Sequence, residues 1–237
     1  MSITLEIAIA KTNKYASRES GDTVEIVERP GGGMSVILAD GQGSGRAAKS
    51  LSMQVTAKVS ALLKEGVRDG AAARAANDYL FATRHGQVSA TLDILSVDLK
   101  TNTVAITRNG DTACIIETPD GVRTYREAER RLGLHNRTRP WTAEEPIVPG
   151  LRVLLLSDGI ANAGQRSQLS PWDLADIAGF MPQGESANVL ADGILAEALR
   201  RDMGRPGDDM SVVALILQQP EPTPLMIRRM SAEVPIS

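Results

Sequence analysis

Acidic residues at four places in this chain have the type and setting to do chemistry together: Asp22 in Ser20-Gly21-Asp22, Asp40 in Asp40-Gly41, Asp158 in Ser157-Asp158-Gly159, and the Asp208-Asp209 pair. Asp40 and Asp158 end the apolar runs Ser35-Val36-Ile37-Leu38-Ala39 and Val153-Leu154-Leu155-Leu156. Asp208 and Asp209 open another, Met210-Ser211-Val212-Val213-Ala214-Leu215-Ile216-Leu217. Runs of that kind form buried strands, so the carboxylates stand at the rim of a core on rigid supports. Carboxylates that converge repel one another unless a positive charge lies between them. Hard divalent cations such as Mg2+ and Mn2+ take oxygen ligands of this kind. The residues therefore point to a carboxylate-built metal centre.

An Asp-Gly pair alone is usually a turn, and the chain holds five: at Asp40, Asp69, Asp120, Asp158 and Asp192. Asp120-Gly121 lies between two short apolar stretches and reads as a hairpin turn. Asp69-Gly70 precedes an alanine-rich helix, where Asp69 is expected as the N-cap. Asp192-Gly193 falls inside a helical pattern and faces solvent. Only Asp40 and Asp158 follow apolar strands directly, and that context separates them from the rest.

The elements that position these residues follow from periodicity. Thr4 to Ala10 and Thr23 to Arg29 alternate as strands, and Pro30-Gly31-Gly32-Gly33 turns the chain into the strand Met34 to Ala39. Gly43-Ser44-Gly45 leads into a helix with Ala47, Leu51, Val55, Val59 and Leu62 on one face, ended by Gly66. A second helix covers Gly70 to Thr83. Strands follow over 88–99, 102–107, 113–117 and 122–125, and 126–149 reads as polar loop with room for short elements. A strand at 151–156, helices over 170–180 (Pro171 in the first turn) and 186–200, and the strand 210–217 complete the pattern. Successive strands without intervening helices disfavour a doubly wound parallel sheet. Two blocks of strands, each followed by a helical pair, suit an α+β fold: a four-layer α-β-β-α sandwich of two largely antiparallel sheets flanked by helix pairs. No linker divides the chain, so 1–218 is expected as a single domain and 219–237 as a C-terminal tail or edge segment.

Composition narrows the function classes. Aromatic residues make up 3% of the 237 residues and the net charge is −3, with no basic stripe. That argues against a base-stacking nucleic-acid surface or an anionic membrane as partner. One cysteine, Cys114, excludes an intramolecular disulfide, and two histidines, His85 and His135, stand apart from any ligand-like cluster, which disfavours zinc. Glu6 interrupts the N-terminal apolar stretch and no apolar run nears the roughly 20 residues that span a membrane. A cytoplasmic protein is expected.

Two rival sites fail on their own residues. Gly41-Gln42-Gly43-Ser44-Gly45-Arg46 follows a strand and precedes a helix, but a dinucleotide fingerprint needs glycine where Arg46 stands. Its glycines instead let backbone approach a metal or phosphate closely. Gly43-Ser44-Gly45 also lacks the spacing of a hydrolase nucleophile elbow, and neither histidine sits in a telling context.

Taken in order, Ser20-Gly21-Asp22, Ala39-Asp40-Gly41-Gln42-Gly43-Ser44-Gly45, Ser89-Ala90-Thr91-Leu92-Asp93, Ser157-Asp158-Gly159 and Asp208-Asp209-Met210 resemble the metal-dependent type 2C serine/threonine phosphatases. The match is to the SpoIIE-like branch, nearest its stand-alone, RsbX-like subtype, because the chain begins at its first strand with no sensor domain before it. The resemblance implies the α-β-β-α sandwich and two Mn2+ or Mg2+ ions bridged by Asp40. It implies that the Gly41 carbonyl binds one ion, that Asp158 and Asp208 complete the second, and that Asp22 holds metal-bound water in the outer shell. Asp209 takes a supporting role, and Arg18 stands near the arginine that holds phosphate in larger members. The implied reaction is attack of a metal-activated water on phosphoserine or phosphothreonine, with phosphorylated STAS-domain proteins of a stress-signalling, partner-switching system as substrates. The alternatives are a catalytically silent regulatory module on the same fold, and activity on small phosphoesters.

Overall fold

The computed structural model describes residues 3–126, 130–167, 169–170, 172–179, 184–219 and 228–234. The strands are β1 (Thr4–Thr12), β2 (Asp22–Glu28), β3 (Met34–Asp40), β4 (Leu92–Asp98), β5 (Thr103–Asn109), β6 (Ala113–Thr118), β7 (Gly121–Tyr125), β8 (Trp141–Pro146), β9 (Arg152–Leu156) and β10 (Met210–Gln218). The helices are α1 (Gly45–Lys64), α2 (Asp69–Arg84), α3 (Asp158–Ala161), α4 (Leu174–Gly179) and α5 (Ala187–Arg201). Among the described residues the strands form two five-stranded antiparallel sheets, ordered β1-β10-β9-β6-β7 and β2-β3-β4-β5-β8.

The period-2 alternation of a strand explains why the central runs carry so few polar residues. In β3, Val36 and Leu38 enter the core between the sheets, while Ile37 and Ala39 enter the core beneath α1 and α2. In β10, Val213, Leu215 and Leu217 face the inter-sheet core, and Val212, Ala214 and Ile216 pack with α5. β9 divides the same way, Val153 and Leu155 to one side and Leu154 and Leu156 to the other. Each fully buried Val, Leu or Ile contributes about 1.5–3 kcal/mol relative to exposure, so these strands anchor the fold and hold their ends still. The layers are helix, sheet, sheet, helix, as expected.

Helix α1 buries Ala48, Leu51, Val55, Val59 and Leu63 along one stripe, and Gly66 beyond its C-terminus takes φ +82°, a conformation that favours glycine. Helix α5 is capped by Ser186, whose hydroxyl accepts from Val189 N at 3.4 Å.

Several details differ from the sequence reading. The segment read as loop over 126–149 contains β8, an edge strand on β5. Its inward positions are Trp141, Ala143 and Glu145, and a glutamate in that series hides the apolar alternation. Glu145 is buried and paired with Arg123 at 2.5 Å. Asp69 is not an N-cap but the first residue of α2, buried and hydrogen-bonded to Arg29. Helix α4 is shorter than 170–180 and begins at Leu174, while Pro171 and Phe180 lie outside the described residues, as does most of 219–237. Cys114 is fully buried in β6, where burial pushes its thiol up to about 12 and leaves it inert at neutral pH. No helix among the described residues is long and apolar enough to cross a membrane.

Candidate metal centre

The acidic residues arrive from both sheets at one end of the sandwich. Asp22 opens β2 and Asp40 ends β3, and the two are direct cross-strand partners. Like charges at opposed positions are destabilising, so this pairing is costly without a counter-charge. From the other sheet, Asp158 opens α3 directly after β9, and Asp208 and Asp209 lead into β10, the neighbour of β9.

Two glycines allow this approach. A Cβ on Gly41 would lie 2.1 Å from the Ala48 carbonyl oxygen of α1, and a Cβ on Gly159 would lie 2.1 Å from the Asp209 carbonyl oxygen. Gly21 is nearly as tight: its Cβ would meet Asp209 Oδ2 at 3.2 Å and Asp40 Oδ1 at 3.3 Å. Gly41→Ala is therefore expected to lower stability by about 1–3 kcal/mol or more. Gly193→Ala, in open space on α5, should raise it by about 0.4–1 kcal/mol. Urea titration of the two variants checks both signs, and equal midpoints would refute the close-approach argument.

The carboxylates play different parts. Asp209 is buried and fully engaged: Oδ1 accepts from Lys14 N at 2.8 Å and Oδ2 from Gly21 N at 2.7 Å, tying the β1–β2 loop to β10. Asp22 is buried, and its Oδ2 accepts from Ser211 Oγ at 2.6 Å. The Asp40 carboxylate accepts no hydrogen bond from any described residue, although its backbone is pinned by Thr91. Asp158 has the Arg131 guanidinium at 3.8 Å, and Arg131 is itself held by Asp111 at 2.7 Å. Asp208 is half-exposed, with Lys14 Nζ at 3.7 Å.

Electrostatics records the crowding. Burial first, then repulsion from Asp22, Asp158 and Asp208, pushes the Asp40 carboxyl up to about 8. Burial also lifts Asp22 to about 6, against the pull of the Ser211 hydrogen bond, with Asp209 adding repulsion. Asp158 rises to about 6, from burial and then from Asp208 and Asp111. Groups that resist ionisation because they face one another are groups a divalent cation would discharge.

The donor set fits a hard cation: carboxylate oxygens from Asp40, Asp158 and Asp208, and the Gly41 carbonyl. The bridge between Gly41 and Ala90 uses Gln42 N to Ser89 O and Thr91 N to Asp40 O, leaving the Gly41 carbonyl out of it. Among the described residues no three His, Cys, Asp or Glu side chains close on one point as the ligands of a single ion would. Ions that keep several water ligands need fewer protein oxygens than such a closed set provides.

Arg18 is exposed in the β1–β2 loop, near this rim but in contact with none of the acidic groups. His85 and His135 are exposed, His85 just past the C-terminus of α2 and His135 in the segment before β8, and neither is hydrogen-bonded to an acidic residue among the described residues. Ser211, Lys14, Arg131 and Asp111 were not singled out by the sequence reading. Ser211 was hidden inside an apolar run, and Arg131 inside the polar segment after β7.

Comparison with known proteins agrees with the fold. A family model described as Stage II sporulation protein E (SpoIIE) matches residues 30–218. Stage II sporulation protein E of Priestia megaterium is 23% identical over 219 residues, covering 92% of this chain but only 37% of that protein. The structure of the PP2C phosphatase domain with a regulatory fragment of SpoIIE from Bacillus subtilis superposes with a TM-score of 0.78 at 22% identity, over 90% of this chain and 63% of that one. RsbX in complex with magnesium superposes with a TM-score of 0.69 at 17% identity, over 90% and 96% of the two chains.

Proposed function

This chain belongs to the SpoIIE family, and from that membership and the geometry of its acidic rim we propose that it is a metal-dependent serine/threonine protein phosphatase. The observation that carries the reading is the convergence of Asp22, Asp40, Asp158 and Asp208 from the ends of strands in both sheets, with their carboxyls raised by burial and by one another. Residues 1–218 form the phosphatase domain in this reading, followed by a C-terminal tail or edge segment.

Asp40, the Gly41 carbonyl, Asp158 and Asp208 would hold two Mn2+ or Mg2+ ions. Bound there, such ions supply the Lewis acidity that makes water a nucleophile at neutral pH and offsets charge on the phosphoryl oxygens. The chain's own residues do the positioning. Ser211 fixes one oxygen of Asp22 and leaves the other to orient a water. Asp209 clamps Lys14 N and Gly21 N, which keeps the loop before Asp22 in place. Gly41 and Gly159 let backbone pack where a side chain would force the rim apart. No side-chain nucleophile is required, in keeping with an inert, buried Cys114. Support for the ions comes from structural neighbours, RsbX with magnesium and the catalytic domain of PstP with two manganese ions.

The substrates we propose are phosphoserine and phosphothreonine on STAS-domain proteins of a bacterial partner-switching stress system. RsbX and a chain from a study of the bacterial stressosome are among the neighbours that motivate this. A phosphorylated STAS-domain protein should lose phosphate in Mn2+ in the millimolar range, stop doing so on dialysis against chelator, and resume when Mn2+ returns. Turnover of other phosphoserine proteins, with only background loss from the STAS protein, would overturn the substrate assignment. A folded protein inert with every divalent metal would overturn the enzyme and leave the catalytically silent module.

A further inference from the structure

Beside the acidic rim lies its electrical opposite. A cavity of about 780 Å³ is lined by Lys11 from β1, Arg18 and Glu19 from the β1–β2 loop, and Arg46, Lys49 and Met53 from α1. Lys11 Nζ and Lys49 Nζ both donate to the carbonyl oxygen of Asp22, at 2.8 and 2.9 Å, so two ammonium groups are drawn to one backbone atom. None of the four cations forms an ion pair with any described residue, and neither guanidinium donates a hydrogen bond to one. Asp22, Asp209 and Glu19 attract the lysines from a distance, but no carboxylate of the described residues reaches ion-pair contact with any of the four cations, and a bound anion would relieve their mutual repulsion. Asp22 is the shared wall: its carbonyl meets the lysines and its carboxylate meets Ser211.

We propose that this groove docks an acidic stretch of the phosphoprotein substrate, carboxylate-bearing residues next to the phosphorylated one. The occupant rests on the phosphatase reading; the preference for an anionic chain rests on the groove alone. The cations are spread over a strand, a loop and successive turns of one helix, which matches single charges along an extended peptide rather than one compact dianion. The volume exceeds that of a phosphate group, and exposed Met53 offers an apolar contact to the peptide between its charges. Nucleic acid fits less well, since no aromatic side chain lines the cavity to stack on a base. Glu19 in the lining disfavours peptides carrying an acidic residue at every position.

Phosphoserine peptides with acidic, neutral and basic flanks, with para-nitrophenyl phosphate as the small reference, test the idea. Wild type should favour the acidic peptide over the neutral one by about tenfold in kcat/KM through KM, a preference that falls as salt rises. Arg46→Glu and, to a smaller extent, Arg46→Met should remove much of that preference with kcat on para-nitrophenyl phosphate kept. Equal use of all three peptides by wild type would overturn the proposal, as would variants that slow every substrate alike. A second arm needs no turnover: fluorescence anisotropy of an unphosphorylated acidic peptide. Binding that Arg46→Glu weakens supports the groove even if no phosphoester is hydrolysed, in which case only the phosphatase reading falls. No binding to wild type, or equally tight binding of a single-stranded oligonucleotide of the same charge, overturns the acidic peptide as occupant.

Discussion

Asp40→Asn should lower kcat by about 10³-fold or more if the protein is the phosphatase proposed above, because ions held at this position would supply several kcal/mol of transition-state stabilisation and each ~1.4 kcal/mol is a factor of ten. The same substitution should stabilise the metal-free protein at alkaline pH. The Asp40 carboxyl is raised to about 8 in the fold, against an ordinary value of 3.8. The folded state therefore holds its proton over a range where the unfolded chain has lost it. Native stability is greatest below the unfolded value and declines as pH climbs from about 4 through about 8, by an amount on the order of a few kcal/mol. Asparagine removes that decline. Urea midpoints in chelator at pH 5 and pH 9 should fall more steeply for wild type than for the variant. Added Mn2+ should then restore wild type, by about 2.7 kcal/mol at 100-fold excess over Kd, and leave the variant nearly unmoved. Parallel pH profiles for the two proteins would show that Asp40 is not the crowded group described above.

Arg108→Met should be among the most destabilising single changes in the molecule. Asp93 of β4 and Arg108 of β5 are cross-strand partners, both almost wholly buried, with Arg108 Nε 3.5 Å from Asp93 Oδ1. Thr112 adds a hydrogen bond to Asp93 at 2.9 Å, and Arg108 donates to the Thr112 carbonyl. Even so, burial outweighs the attraction of Arg108 and lifts the Asp93 carboxyl to about 7. Asp93 Oδ2 and Arg108 Nε have no hydrogen-bond partner among the described residues, so the pair is only partly satisfied. Removing the guanidinium strands a carboxyl with no other cation beside it, at a cost of about 3–5 kcal/mol. The loss should be larger at pH 8 than at pH 5, where protonation of Asp93 blunts it. The double change Asp93→Leu with Arg108→Met should recover most of it, because the charge and its partner leave together. A single variant within about 0.5 kcal/mol of wild type at pH 8 would mean that water reaches the pair.

The metal-centre candidates were legible because the signal is local. An acidic residue at the end of a doubly buried strand is visible within ten residues, and so is the glycine beside it. Asp40-Gly41 and Asp158-Gly159 share that signature, and both glycines prove to lie against backbone. The distinction between them and Asp120-Gly121, which the structure places at the hairpin between β6 and β7, followed from the preceding strand alone. Edge strand β8 escaped because Glu145 occupies an inward position and its charge is answered by Arg123, a residue from the other sheet. Asp69 was misjudged for the same kind of reason: its partner, Arg29, comes from before β3.

By itself, then, the amino-acid sequence determined the alternating and doubly buried strands, the layer order and which carboxylates stand at strand ends, since each depends on periodicity within a few residues. Tertiary structure alone decided which partner each carboxylate meets. Asp209 is spent on Lys14 N and Gly21 N, residues 195 and 188 positions away, and Asp22 is oriented by Ser211 across 189 positions. The gathering of Lys11 and Lys49 on one carbonyl likewise needs β1, β2 and α1 in register. Such contacts arise where two sheets stack, and their partners are set by strand register and layer packing, which no local pattern encodes.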